Sequence, residues 1–186
     1  IATVANIDWP KTKGTSASIV QSQKADLIDY LDRMEAMNLT TICFQVRSMC
    51  DAMYKSSYEP WSSYLTGTRG TDPGWDPLAF MVEECHKRGM QLHAWLVAIP
   101  LGDAAHVKAH GKLSLPAKHP DQCTKFKGAW YMEPSHPATV GHLSALVEEI
   151  VTKYDVDGIH FDYIRYPEGN ATYPDGARYN RNRRGM

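Results

Sequence analysis

Four stretches of this chain alternate apolar and polar residues with the two-residue period of a β-strand, and three stretches between them repeat apolar residues at helical spacing. In IATVANIDWP (Ile1 to Pro10), Ile1, Thr3, Ala5 and Ile7 share one face and Ala2, Val4, Asn6 and Asp8 the other. TTICFQVR (Thr40 to Arg47) sets Ile42, Phe44 and Val46 against Cys43, Gln45 and Arg47. QLHAWLV (Gln91 to Val97) sets Leu92, Ala94 and Leu96 against His93 and Trp95. The last and most unusual is GIHFDYIRYP (Gly158 to Pro167), in which Ile159, Phe161 and Tyr163 alternate with His160 and Asp162. A carboxylate inside a strand is costly to bury alone, so Asp162 is expected either to be paired or to look into a solvated cleft.

The helical stretches have recognisable ends. The first starts near Ser22, carries Leu27, Ile28, Leu31 and Met34, and stops at Asn38, a residue suited to a left-handed cap. The second opens on Asp76-Pro77, an N-cap followed by proline in the first turn, with Leu78, Met81, Val82 and Cys85 as its stripe and Gly89 as its stop. The third opens at Pro137, with Val140, Leu143, Val147, Ile150, Val151 and Tyr154 as its apolar positions.

Alternation of strand and helix implies parallel strands joined by right-handed crossovers. Connections leaving the strand C-termini are long, and those leaving the helix C-termini are short. That asymmetry fits a (β/α) TIM-type barrel, whose site lies at the C-terminal ends of the strands. The rival is a doubly wound open sheet, but no glycine-rich phosphate loop follows the first strand. The loop after the second strand is rich in aromatics (Tyr54, Tyr58, Trp61, Tyr64, Trp75). The long stretch after the third holds His106, His110, His119, Trp130, Tyr131 and Glu133, and a connection of that length is usually functional or disordered.

Composition narrows the classes further. The 186 residues suit one domain or part of a larger one, and 20 Lys plus Arg against 21 Asp plus Glu give no charge excess pointing to nucleic acid or an anionic membrane. The basic run RYNRNRR (Arg178 to Arg184) reads as a solvated tail. No apolar run has the length of a membrane span. No signal peptide is evident, and the strand-like opening at Ile1 suggests that something upstream has been removed. Cys43, Cys50, Cys85 and Cys123 show no CxxC or zinc-type spacing, and Cys43 and Cys85 are expected to be buried thiols.

One face of each strand is apolar, while the other turns polar toward its C-terminus: Asn6 and Asp8, Gln45 and Arg47, His93 and Trp95, His160 and Asp162. In a barrel these point into one mouth, where a purely structural core would favour branched apolar residues. His93, His160 and Asp162 are also conceivable zinc ligands. They lack an HxH or HExxH pairing, however, and Arg47 in the same mouth would repel a cation, so no metal and no cofactor is expected. Aromatic faces and hydrogen-bonding side chains around a cleft are instead equipment for holding a sugar and breaking its acetal link.

These residues also carry a resemblance. IATVANIDWP, FQVR followed by DAMY, SSYEPWSSYLTGTRGTDPGWDPLAF, HKRGMQLHAWL and DVDGIHFDYIRYP, spread in order from Ile1 to about Pro174, resemble the glycosyl-hydrolase-like family 10 of bacterial glycosidases. The chain departs from that pattern in LVAIP after the third strand, where an Asn-Pro-Tyr-type turn is usual. The resemblance implies an eight-stranded TIM-type barrel, of which residues 1–186 would be the N-terminal half, the first four strands. It implies a glycoside hydrolase acting on peptidoglycan or another bacterial-envelope polysaccharide, periplasmic or held as a surface lipoprotein. Asp162 is then the catalytic carboxylate, with Arg47 and His160 expected within reach to orient it and tune its pKa. Asn6, Asp8, Gln45, Asp51, His93, Trp95 and Tyr166 are the expected substrate-binding residues. A second carboxylate, required by most such mechanisms, would be Asp8, Asp51 or a residue on strands beyond Met186. The alternatives are a non-catalytic glycan-binding envelope protein and, further off, a metal-dependent hydrolase.

Four strands of a barrel have two open edges and an uncovered inner face. Such edges template pairing with another chain, so the chain is expected either to belong to a longer protein or to self-associate through this face, its partners otherwise being polysaccharide and not nucleic acid.

Overall fold

A computed structural model describes residues 1–3, 8–165 and 167. The elements run α1 (Ala17–Ala36), β1 (Thr41–Arg47), α2 (Ser63–Thr66), α3 (Pro77–Lys87), β2 (Gln91–Val97), β3 (Pro100–Asp103), α4 (Ala104–His110), α5 (Leu115–Lys118), β4 (Cys123–Phe126), β5 (Ala129–Met132), α6 (Pro137–Lys153) and β6 (Gly158–Asp162). Among the described residues β1, β2 and β6 form a parallel sheet in that order, with α3 and α6 as crossovers. Strand order thus follows chain order, as in the expected barrel; the sheet formed by the described residues is open, has three strands and does not close into a barrel.

The difference lies in the first stretch. Gln45 N–H donates to the Ile1 carbonyl (3.0 Å) and Thr3 N–H to Gln45 Oε1 (2.9 Å), so residues 1–3 do lie along the outer edge of β1. Yet Asp8 and Trp9 N–H both reach back to the Ala2 carbonyl, at 3.2 and 3.3 Å. In one strand, six residues would separate these groups by about 20 Å. Asp8 and Trp9 therefore lie beside Ala2, which a single strand from Ile1 to Pro10 does not allow; residues 4–7 lie outside the described residues. Asn6, Val4, Tyr166 and the basic run at 178–184 lie outside the described residues.

The strand faces follow parity. Leu92, Ala94 and Leu96 of β2 are fully buried, while His93 and Trp95 between them are half-buried. Leu27 and Leu31 of α1, Leu78, Met81 and Cys85 of α3, and Leu146 and Ile150 of α6 fill one hydrophobic core. Helix α1 begins earlier than expected because Ser16 caps it, accepting from Ile19 N–H, ahead of any apolar residue that could reveal the turn. Asn38 does adopt the left-handed conformation, with φ 57°. Helix α6 turns Leu143, Leu146 and Ile150 inward, and Val140 and Val151 of its expected stripe outward, 64% and 53% exposed. Cys85 is buried and Cys43 only half-buried, and all four cysteines are free.

Two carboxylates lock the crossovers. Asp76 Oδ1 accepts from Leu78 and Ala79 N–H at the start of α3, while its Oδ2 accepts from Tyr154 Oη–H (2.6 Å) at the end of α6. Asp157 Oδ2 accepts from Leu92 N–H (2.8 Å) and lies 2.9 Å from His86 Nε2, which sets the first residue of β6 beside β2. These bonds, led by that from His86, hold the Asp157 carboxyl below the usual range.

The long stretch after β2 is neither loop nor disorder. It builds a second, antiparallel sheet in the order β3-β5-β4, with α4 and α5 between β3 and β4. Its neck closes where Met132 N–H donates to the Ile99 carbonyl (2.9 Å).

Candidate functional site

The C-terminal end of the parallel sheet brings Trp95, His160 and Asp162 together. In the register of β2 and β6, Trp95 stands opposite His160 and Val97 opposite Asp162, and all three side chains share the face away from the helices. Trp95 Nε1–H donates to Asp162 Oδ2 (3.2 Å), and the Trp95 and His160 rings meet edge to face with centroids 6.2 Å apart. Asp162 Oδ1 accepts from Tyr163 N–H (2.8 Å). Tyr163 has φ 50°, a left-handed conformation that a bulky residue adopts at a cost of about 1–2 kcal/mol. Backbone strain of this kind gathers at functional sites. His93 lies deeper, its ring against Gly158, where an added Cβ would fall 2.9 Å from three ring atoms.

Arg47 does not join this group. Its side chain is fully buried, with Nε and Nη2 donating to Glu59 (2.8–2.9 Å) and Nη1 to the Val97 and Ala98 carbonyls. The bonds to Asp162 come from Trp95 and Tyr163 instead, so the expected pairing of Asp162 with Arg47 or His160 is corrected. A fully buried cation needs a counter-ion, and Glu59 in the aromatic loop supplies it. Burial alone would raise the Glu59 pKa, but the Arg47 charge and hydrogen bonds from His142 and Arg47 outweigh it and hold the carboxyl below its ordinary range. Burial likewise opposes the Arg47 charge, and Glu59 overcomes it. His142 Nε2 of α6 completes the cluster, 3.1 Å from Glu59.

The other expected binding residues are occupied elsewhere. Gln45 is buried, its Oε1 accepting from Thr3 N–H and Oγ–H. Asp8 accepts from Ala2 N–H (2.9 Å). Asp51 is 1% exposed, with Oδ1 accepting from Ser48 Oγ–H (2.8 Å). Asn6 and Tyr166 fall outside the described residues.

A second cluster lies between the loop after β1 and α4. His106 and His110 stand one helical turn apart, and Arg69 reaches both, donating to His110 and to His106 Nδ1 (2.6 Å). Burial, then the nearby Arg69 charge, pushes the His110 pKa down to about 3, and burial lowers that of His106. One donor atom each from Asp51, His106 and His110 falls within 4.8 Å of the others, the metal-competent grouping among the described residues. The i, i+4 spacing was visible in the sequence, but without α4 the two histidines looked like unrelated loop residues.

The family model for glycosyl hydrolase-like 10 matches residues 1–184. The chain belongs to that family. It is 42% identical over 184 residues to the glycosyl hydrolase YngK of Bacillus subtilis (strain 168), a match covering 96% of this chain and 35% of YngK. With the glycosyl hydrolase DigH of Escherichia coli (strain K12) it shares 33% identity over 195 residues, covering 98% of this chain and 43% of DigH. The chain therefore spans less than half the length of these curated relatives. Its mixed α/β fold is similar to that of a noncanonic maltogenic α-amylase, AmyB, from Thermotoga neapolitana, with TM-score 0.56 and 16% identity over 86% of this chain and 38% of that one. A hypothetical protein from Ruminiclostridium thermocellum ATCC 27405 gives TM-score 0.55 at 17% identity, covering 77% of this chain and 72% of its own.

Proposed function

We propose that this chain supplies part of the active site of a glycoside hydrolase that cleaves a bacterial-envelope polysaccharide of the peptidoglycan type, with Asp162 as a catalytic carboxylate. The observation that carries this reading is the strand-end Asp162 carboxylate, fixed by the indole of Trp95 on the neighbouring strand, in a member of a glycosyl-hydrolase-like family. Trp95 offers a ring face to a sugar while its N–H holds the acid, and the exposed His160 lies beside it. The complete protein would be a (β/α)8 barrel in the cell envelope, with residues 1–186 as its N-terminal half.

Hydrolysis needs a second carboxylate facing the same bond. Asp51, at 1% exposure, is too deeply buried to serve, so the partner would be the exposed Asp8 or a residue from the remainder of the barrel. The same observation favours the second reading, a glycan-binding protein that retains the Trp95 platform without turnover. Both are tested on the full-length protein with purified peptidoglycan glycan strands. Cleavage that Asp162→Asn reduces by orders of magnitude, while binding persists, is the expected result. Binding without cleavage by the unmodified protein would establish the second reading, and cleavage unchanged in Asp162→Asn would move the catalytic role elsewhere.

A further inference from the structure

The cluster of Asp51, Arg69, His106 and His110 plays no part in the proposed sugar chemistry, yet its hydrogen bonds are arranged in a way that packing alone does not require. His106 Nε2 lies 2.9 Å from the Met49 carbonyl, a bond that needs the proton on Nε2 and leaves Nδ1 as a lone-pair donor. His110 Nδ1 lies 3.2 Å from the His106 carbonyl, and both nitrogens of the ring face Arg69 Nη1. Asp51 spends Oδ1 on Ser48 and Met49, while its Oδ2 is buried without a hydrogen-bond partner. An unpartnered buried carboxylate oxygen is expensive. Two imidazoles one turn apart on a helix, that of His106 oriented through its other nitrogen by a carbonyl, together with a carboxylate, make a zinc-type donor set.

We propose that Asp51, His106 and His110 bind a divalent transition-metal ion, zinc above all, in the place now taken by the Arg69 guanidinium. Arg69 brings positive charge to the same rings, with Nη2 2.6 Å from His106 Nδ1 and Nη1 against both nitrogens of His110. It extends from a turn whose glycines, Gly67 and Gly70, have φ 87° and 72°, so its backbone follows no helix or strand that fixes the side chain in place. A tetrahedral ion with bonds of about 2.1 Å holds its ligand atoms about 3.4 Å apart. The three donors, within 4.8 Å of one another, therefore close inward as Arg69 leaves. Asp51 and His110 are 1% and 4% exposed, so the ion would be structural. It would pin the loop after β1 to the antiparallel insertion rather than meet substrate.

The test is titration of the chelator-treated full-length protein with zinc chloride alone, followed by calorimetry, and with cobalt chloride, followed by its visible absorption. One ion per chain is expected, with the intense absorption of a four-coordinate cobalt site. The double variant His106→Ala/His110→Ala should lose that binding, and Arg69→Gln, which removes the competing cation and leaves every ligand in place, should bind at least tenfold more tightly. Binding that survives intact in the double variant would overturn the proposal. So would absence of binding in both the unmodified protein and Arg69→Gln, or an Arg69→Gln affinity no higher than that of the unmodified protein. Because Arg69→Gln gains affinity, misfolding of the histidine variants cannot mimic the expected result, and none of these readouts depends on glycan cleavage.

Discussion

Arg47 and Glu59 form an ion pair with 0% and 2% of their side chains exposed and an Nη2–Oε1 distance of 2.8 Å. A pair so buried is held by its own geometry, because removing one partner leaves the other charged and without solvent. Glu59→Gln is expected to destabilise the protein by about 3–5 kcal/mol, measured by urea unfolding. The same pair sets an acid limit. The folded Glu59 pKa lies below its ordinary value of 4.5, so its contribution is fully present above pH 4.5 and is lost as the pH falls through the folded value. Urea midpoints from pH 6 down to pH 3 should fall below 4.5, and that part of the slope should vanish in Glu59→Gln. An unchanged slope would place the acid sensitivity in other carboxylates.

Gly158 and His93 meet across β2 and β6 with no room for a methyl group, an added Cβ falling 2.9 Å from the ring. Gly158→Ala should cost about 1–3 kcal/mol through overpacking. His93→Ala in the same chain should restore most of that loss, a coupling that a double-mutant cycle reads directly. Additive effects would mean that the backbone, not the imidazole, resists the change.

Tyr163 follows Asp162 with φ 50° and a side chain that is 49% exposed. Tyr163→Gly removes the steric cost of this conformation, and about 1 kcal/mol of added thermal stability is expected. If the protein is a hydrolase, the variant should be slower despite its stability, because glycine lets the Asp162 carboxylate drift. A less stable variant would show that the ring's contacts outweigh the strain.

Trp95→Phe keeps an aromatic face but deletes the N–H that reaches Asp162 at 3.2 Å. Under the proposed function, kcat should fall at least tenfold while KM changes little, since the ring still stacks on the sugar. A rise in KM at constant kcat would make Trp95 a binding residue only.

The strands that could be read from the sequence were those whose two faces differ. Leu92, Ala94 and Leu96 are buried and alternate with half-buried His93 and Trp95, and that contrast is written into QLHAWLV. The helix starts at Asp76-Pro77 and Pro137 were equally legible, because their capping chemistry is local. β3, β4 and β5 were not, since each is four residues long, too short for a period to emerge. Arg47 shows the limit at the site itself. Parity put Arg47 on the face of Gln45, but the register shifts between the two and pairs Arg47 with Leu96; its partner lies in a loop, and no periodic rule connects Arg47 to Glu59. The pairing of His106 with His110 was present as spacing and hidden only because α4 itself was not foreseen.

The neck of the antiparallel insertion has a consequence for how members of this family can differ. Because Ile99 and Met132 are one hydrogen bond apart, residues 100–131 leave the chain path after β2 and rejoin it ahead of α6 at nearly the same point, and in topological terms they are a cassette that could be exchanged without re-registering a strand of the parallel sheet. In packing terms they are a stopper. Leu101 is fully buried and Leu115 nearly so, both within the single core, and excision would leave a void where they sat. Lineages can therefore rewrite the tip of this insertion freely, but any replacement must return two large apolar side chains to the same hole.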